Sequence, residues 1–384
     1  MNMTRAIAVM ALLGALGLPS ASLAESGVTD TEVVLGASLA FTGGPGALAY
    51  AGLLGERIAV AEANAAGGIS GRQIRIIAED DGYVPARTVQ AVNKLIEQDD
   101  VFAITEASSS SNWLAILPML EEQGIPSINP LMASLEPIKA GPRTHFSIGI
   151  GYRDGAHDLM KALLAKYLDR KWASITREDE TGIDHERGFL SALKEAGQAP
   201  VLTQRFRSGQ TDFSVEVLKA REAGATALFV GVLPSDVATM MSEADKLGMD
   251  AIFATLWISH LKPMLDLVGA NGDRLHLYDY VPSLEDDSLA DFRALAAKHL
   301  SQEDVAKMNR YSITGYATMK VFIEAMRQCG KDLTRACAIA KLEAMKDFET
   351  GLTQPVSFSP DNHLATTKGA PLVIRDGKFV PLPN

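Results

Sequence analysis

The chain has 384 residues, 47 acidic against 36 basic side chains for a net charge of −11, and two cysteines. That balance argues against a nucleic-acid partner, which needs a basic face. The length exceeds one compact core at roughly 100–200 residues per domain, so two lobes are expected.

The first 24 residues read as a cleaved secretory signal. Arg5 is the only charge before Glu25, an apolar run fills 6–18, Pro19 breaks it, and Ser22-Leu23-Ala24 offers a small-residue cleavage site. The run is too short to span a bilayer, which takes roughly 20 residues. No cysteine stands near the cut to carry a lipid, so a soluble exported protein is expected.

Downstream, apolar β-branched runs alternate with helical-period stretches. Strands are expected over 33–39, 74–78, 102–105, 172–176, 227–230 and 251–254. Helices are expected over 53–65, 88–98, 110–123, 156–167, 186–196, 213–223 and 236–247, several ending on a glycine. Continuously apolar strands separated by helices imply parallel sheets covered on both faces, an α/β fold. A second such run begins after a non-helical stretch near 141–153. Helices over 288–299, 312–329 and 333–345 follow, then short strands near 356–358, 372–375 and 378–380, the last two joined by an Asp376-Gly377 hairpin turn.

Catalytic patterns fail one after another. His185-Glu186 lacks the second histidine of a zinc helix, no Gly-x-Ser-x-Gly elbow exists, and Gly43-Gly44-Pro45-Gly46 has neither dinucleotide spacing nor a P-loop lysine. The Asp80-Asp81 pair reads as a capping turn before Tyr83, with a metal or acid/base role as the alternative. No enzyme, metal or cofactor is expected. Cys329 and Cys337 flank a Gly330 turn; a disulfide across it or two buried thiols both fit an oxidising compartment.

Val33-Val-Leu-Gly-Ala-Ser-Leu-Ala-Phe-Thr-Gly43, Asn64-Ala-Ala-Gly-Gly-Ile-Ser-Gly-Arg72 and Glu79-Asp-Asp81 resemble the opening of the leucine/isoleucine/valine-binding type of periplasmic binding protein. The similarity continues through Pro118, Glu121-Glu122, Gly124-Ile-Pro126, Asn129-Pro130 and Gly209-Gln-Thr-Asp-Phe-Ser214. It implies two Rossmann-like lobes, each a doubly wound, mostly parallel sheet, joined by three crossovers. The lobes would be 25–150 with 281–352, and 151–280 with 353–384. It also implies a periplasmic monomer that delivers a small molecule to the permease of an ATP-binding-cassette (ABC) transporter. A ligand-sensing module for a signalling partner is the competing reading.

Carried over position by position, the resemblance puts the ligand's carboxylate on Ser110, beside Ser109, at a helix N-terminus. Where the amino-acid binders hold the ammonium with threonine, tyrosine and glutamate, this chain has Ala133, Thr181 and Trp257. A buried ammonium without a carboxylate is costly. Leu131, Leu233, Trp257 and Tyr311, with Phe41, Leu48 and Tyr50 of the glycine-rich loop, supply apolar and aromatic walls instead. The expected ligand is therefore a hydrophobic or aromatic acid, with a branched-chain amino acid as the alternative. Of Arg153, Arg177 and His185, Arg177 directly follows a strand and is the candidate for a second anionic contact.

Overall fold

The structure is a computed structural model and describes residues 25–41, 46–129, 131–136, 141, 143–231, 233–365 and 368–383. The signal read at 1–24, residues 42–45 of the glycine-rich loop, and Pro130 lie outside the described residues.

In the first half, strands and helices alternate as β1 (Glu32–Leu39), α1 (Gly46–Ala65), β2 (Gln73–Asp80), α2 (Pro85–Glu97), β3 (Ala103–Ala107), α3 (Ser110–Glu122), β4 (Ser127–Ile128) and β5 (His145–Ile148). The second run is α4 (Tyr152–Lys166), β6 (Trp172–Arg177), α5 (Glu180–Glu195), β7 (Leu202–Phe206), α6 (Ser214–Glu222), β8 (Ala227–Gly231), α7 (Pro234–Lys246), β9 (Ile252–Leu256), α8 (Lys262–Val268) and β10 (Leu275–Asp279). Helices α9 (Ala290–His299), α10 (Gln302–Val305), α11 (Arg310–Cys329) and α12 (Arg335–Glu343) precede β11 (Leu364–Ala365), β12 (Ala370–Arg375) and β13 (Lys378–Pro381).

Two sheets result, ordered β11-β5-β4-β3-β1-β2 and β13-β12-β10-β9-β8-β6-β7. All pairings in the first are parallel; the second is parallel except where β12 meets β10 and β13. β3, β6, β8, β9 and β10 are buried along their whole length, which explains their largely apolar character. At the β12–β13 hairpin, Asp376 and Gly377 have φ of 50° and 68°, and Arg375 pairs with Lys378. Both central residues are thus left-handed, the geometry an Asp-Gly turn supplies.

The chain crosses between lobes three times, after β5, after β10 and after β11. The last crossing falls beyond Ala365, later than the 352/353 boundary read from sequence. Leu364 pairs with Ser147 of the first sheet, and Val356 and Phe358 are buried in the first lobe's core. The segment 353–365 therefore sits with the first lobe.

That core forms where α1 lies along α11, with Leu54, Ile58, Phe322 and Met326 buried between helices and sheet. Contact is backbone-close: a Cβ on Gly315 would stand 2.2 Å from the Gly52 carbonyl, and Ser312 Oγ donates to Ala51 O at 2.8 Å. A disulfide joins Cys329 at the end of α11 to Cys337 in α12. Among the described residues, no helix is long and apolar enough to cross a membrane.

Candidate functional site

The carboxyl ends of β1, β2 and β3 face those of β6, β8 and β9 across an interlobe cleft with an empty volume of about 470 Å³. On the first lobe, Asp81 organises the wall. Its buried carboxylate accepts from Ser38 Oγ (3.0 Å), Thr88 Oγ1 (3.0 Å) and Ser108 Oγ (2.7 Å). It also accepts from Tyr83 N at 2.8 Å, fixing a turn in which Tyr83 takes φ of 64° and lines the cleft. The Asp80-Asp81 pair forms a hydrogen-bonded turn through Gly82 N and Tyr83 N but does not cap the next helix, whose N-cap is Val84; among the described residues no group of three His, Cys, Asp or Glu side chains could hold a metal.

Ser109 caps α3 by accepting from Asn112 N, while its hydroxyl donates to Asn112 Oδ1 at 2.6 Å. Ser108 and Ser109 both line the cleft, yet each hydroxyl proton is already engaged inside the protein.

On the second lobe, β6 ends in Arg177, which is 4% exposed and faces the cleft. Its Nη2 donates to Tyr83 Oη across the cleft at 3.1 Å, and Nε lies 2.7 Å from Asp179 Oδ2. Burial opposes its charge, but Tyr83 and Asp179 outweigh that effect and raise its pKa further. Asp179 in turn caps α5, placing Thr181 in the first turn and in the cleft wall.

Tyr152, the first residue of α4, is stacked between His185 at 4.5 Å and Trp257 at 5.3 Å. Burial lowers the His185 pKa to about 4. His185 Nδ1 lies 2.6 Å from Thr181 O, and because a carbonyl only accepts, that nitrogen carries the proton. The neutral imidazole backs the Tyr152 ring. Burial also pushes the Tyr152 and Tyr311 phenols up, so both remain neutral. Leu48 and Leu131 from the first lobe and Leu233 and Ile258 from the second complete the lining.

At the hinge, Asp279 at the end of β10 receives Arg310 of α11 through Nε–Oδ2 at 2.7 Å and Nη2–Oδ1 at 2.9 Å. His260 Nδ1 stands 2.6 Å from the same carboxylate, and its Nε2 lies 2.8 Å from Ser283 Oγ. Burial alone would raise the Asp279 pKa; Arg310 and His260 hold it below the usual value. The Arg310 guanidinium lies between the Tyr280 and Tyr311 rings, at 5.1 and 4.9 Å.

Of the residues read from sequence, Leu48, Ser109, Leu131, Thr181, Arg177, Leu233 and Tyr311 lie on the cleft wall. Ser110 faces away from it, its hydroxyl accepting from Ser134 N (3.1 Å) and Ala133 N (3.4 Å). Ala133 is buried in the cluster behind Tyr152. Trp257 is 2% exposed and stands behind Tyr152, in a 3-10 turn that directs its ring against Gly155 and Tyr280. Phe41 is on the surface, edge-on to Tyr50, whose hydroxyl donates to Asp304 at 2.7 Å. Arg153 pairs with Glu136. Tyr83, Ser108, Tyr152 and Ile258 were missed. A tyrosine just after a strand-end Asp-Asp-Gly, and another opening the first helix beyond the lobe junction, were the available signals.

A sequence profile of the family described as "Periplasmic binding protein" matches residues 32–378. The chain belongs to that family. Its relatives include an "Amino acid binding protein" of Pseudomonas aeruginosa, 25% identical over 253 residues, 65% of each chain. The match to this relative therefore spans less than two thirds of its length. A "Leu/Ile/Val-binding protein homolog 7" of Brucella suis is 24% identical over 385 residues, 94% of each chain. Among solved structures, an ABC-transporter solute-binding protein from R. palustris in complex with 4-hydroxybenzoate has a TM-score of 0.80 at 19% identity, covering 92% of this chain and 96% of that one. This likeness establishes the type I periplasmic-binding fold for the two lobes.

Proposed function

We propose that this periplasmic binding protein captures a small hydrophobic or aromatic carboxylate by closure of its lobes, as the binding component of an ABC importer. In this reading the first 24 residues direct export and are removed, and the loaded chain docks on a membrane permease. One observation carries the ligand class. Among the described residues the cleft wall contains a buried guanidinium, Arg177, and no carboxylate. Asp179 engages only the Nε side of that guanidinium, so an anion gains at its remaining donors, whereas an ammonium would be desolvated beside a like charge. Leucine side chains and the Tyr152 ring suit an apolar body, and the neutral phenols of Tyr152 and Tyr311 in the wall suit a polar substituent on it. Arg177 and Tyr83 belong to different lobes, so their contact favours the shut state. The 4-hydroxybenzoate held by the R. palustris relative has this chemistry; the names of the sequence relatives favour an amino acid instead.

Thermal melts with benzoate, 4-hydroxybenzoate, aliphatic acids, leucine and valine test the reading. A ligand at a hundredfold excess over its Kd stabilises by about 2.7 kcal/mol. A rise with the acids is expected, and Arg177→Met should lose it, each rise being measured from that protein's own unliganded midpoint. A rise with leucine or valine and none with the acids would refute it.

A further inference from the structure

A second cavity, with an empty volume of about 1150 Å³, opens between the lobes beside the hinge. It and the ligand cleft share one lining residue, Leu48. The two cavities also lie close along the chain: Tyr311 lines the cleft and its neighbour Arg310 the second cavity, and Ile258 and His260, two residues apart, divide in the same way. Leu48 sits in the first turn of α1, half-buried, and packs on two clusters at once. One holds Leu131 and Tyr311 of the first lobe; the other holds Tyr152, Trp257 and Ile258 of the second. It is therefore a single aliphatic side chain standing between two empty spaces and touching both lobes.

We infer that Leu48 is the partition that limits ligand length. The inference rests on the acid-binding reading and extends it to size selection. With leucine in place, a ligand body ends against an isobutyl group, and the cleft admits only compact molecules. Behind it, Leu261, Leu284, Val305 and Met308 offer apolar wall from both lobes, alongside charged Lys262, Asp266, Glu285, Lys307 and Arg310. Shortening the side chain joins the two spaces, so an acid with an extended tail gains room along the apolar part of that wall. Each methylene that moves from water onto that apolar part is worth about a fourfold gain in affinity.

The test is a homologous series, phenylacetate to 6-phenylhexanoate and butanoate to decanoate, titrated calorimetrically into the wild type, Leu48→Ala and Leu48→Phe. Affinity is expected to rise with chain length to a limit in the wild type. The limit should move out by two or three carbons in Leu48→Ala and move inward in Leu48→Phe. Leu48→Phe keeps the test alive if the smaller side chain fails to fold. An identical limit in wild type and variants overturns the partition and leaves the acid reading standing. Should no acid bind the wild type, the acid reading falls. The same comparison with norvaline, norleucine and 2-aminooctanoate then decides the partition separately.

Discussion

Glu56 on α1 and Glu106 on β3 are both fully buried in the first lobe, beneath the cleft. Thr105 Oγ1 donates to Glu56 Oε2 at 2.9 Å; Glu56 Oε1 and both Glu106 oxygens have no partner among the described residues. Burial pushes the Glu56 carboxyl from 4.5 up to about 8, with Thr105 and Arg57 only partly opposing it. Glu106 is raised well above the ordinary range by burial, by Glu56 and by Asp81. Such a carboxyl holds its proton more tightly folded than unfolded. Its contribution to stability is therefore full below pH 4.5 and is lost as pH rises toward 8. At about 1.4 kcal/mol per pH unit, the window amounts to roughly 5 kcal/mol for a rigid site and on the order of 2 kcal/mol for one that relaxes.

Glu56→Gln keeps the shape and the acceptor for Thr105 but removes the titration. Melts of both proteins by tryptophan fluorescence, from pH 5 to pH 8.5, compare them directly. The midpoints should agree near pH 5, where wild-type Glu56 is protonated. The variant should lead by roughly 5–15 °C at pH 8, at 2–4 °C per kcal/mol. A difference that does not change with pH, or a variant that melts below the wild type at pH 8, would refute the reasoning.

Asp279→Asn leaves Arg310 buried without its counter-charge and should cost about 3–5 kcal/mol; adding Arg310→Met should recover much of it, measured by urea unfolding. Gly315→Ala forces a methyl against the Gly52 carbonyl, 2.2 Å away, and should lower stability by about 1–3 kcal/mol. Replacing Cys329 and Cys337 by serine opens a loop with a sequence separation of 8 and should cost about 2.5 kcal/mol, read as a lowered melting midpoint.

Much of the architecture was legible because buried parallel strands leave long apolar runs and helix ends leave glycines. β6 and β9 fall within a residue or two of their expected bounds for that reason. β4 and β11, two residues each, are too short to leave a pattern and exist through tertiary pairing. The latter misled the lobe boundary, since nothing local says which sheet a two-residue strand joins. Cleft residues at strand ends and first helical turns, Arg177, Ser109 and Thr181, could be read from position. Trp257 could not: the turn after β9 rotates its ring into the core, and Tyr152 takes the cleft-lining place before it. Ser110 likewise heads α3 as expected, but the loop at 131–135 engages its hydroxyl.

The triple crossing also bears on how the chain comes into being. Helix α1 and the first strands lead the sequence, yet the helix that covers them, α11, begins only at Arg310. The second lobe's parallel strands, β6–β10, lie entirely between. At roughly 5–20 residues per second, the wait from β5 to α11 lasts about 10–30 s. During synthesis the second lobe can gather most of its core while the first still exposes the apolar side of α1. Each half thus waits on a late segment, the first on α11 and β11 and the second on β12 and β13.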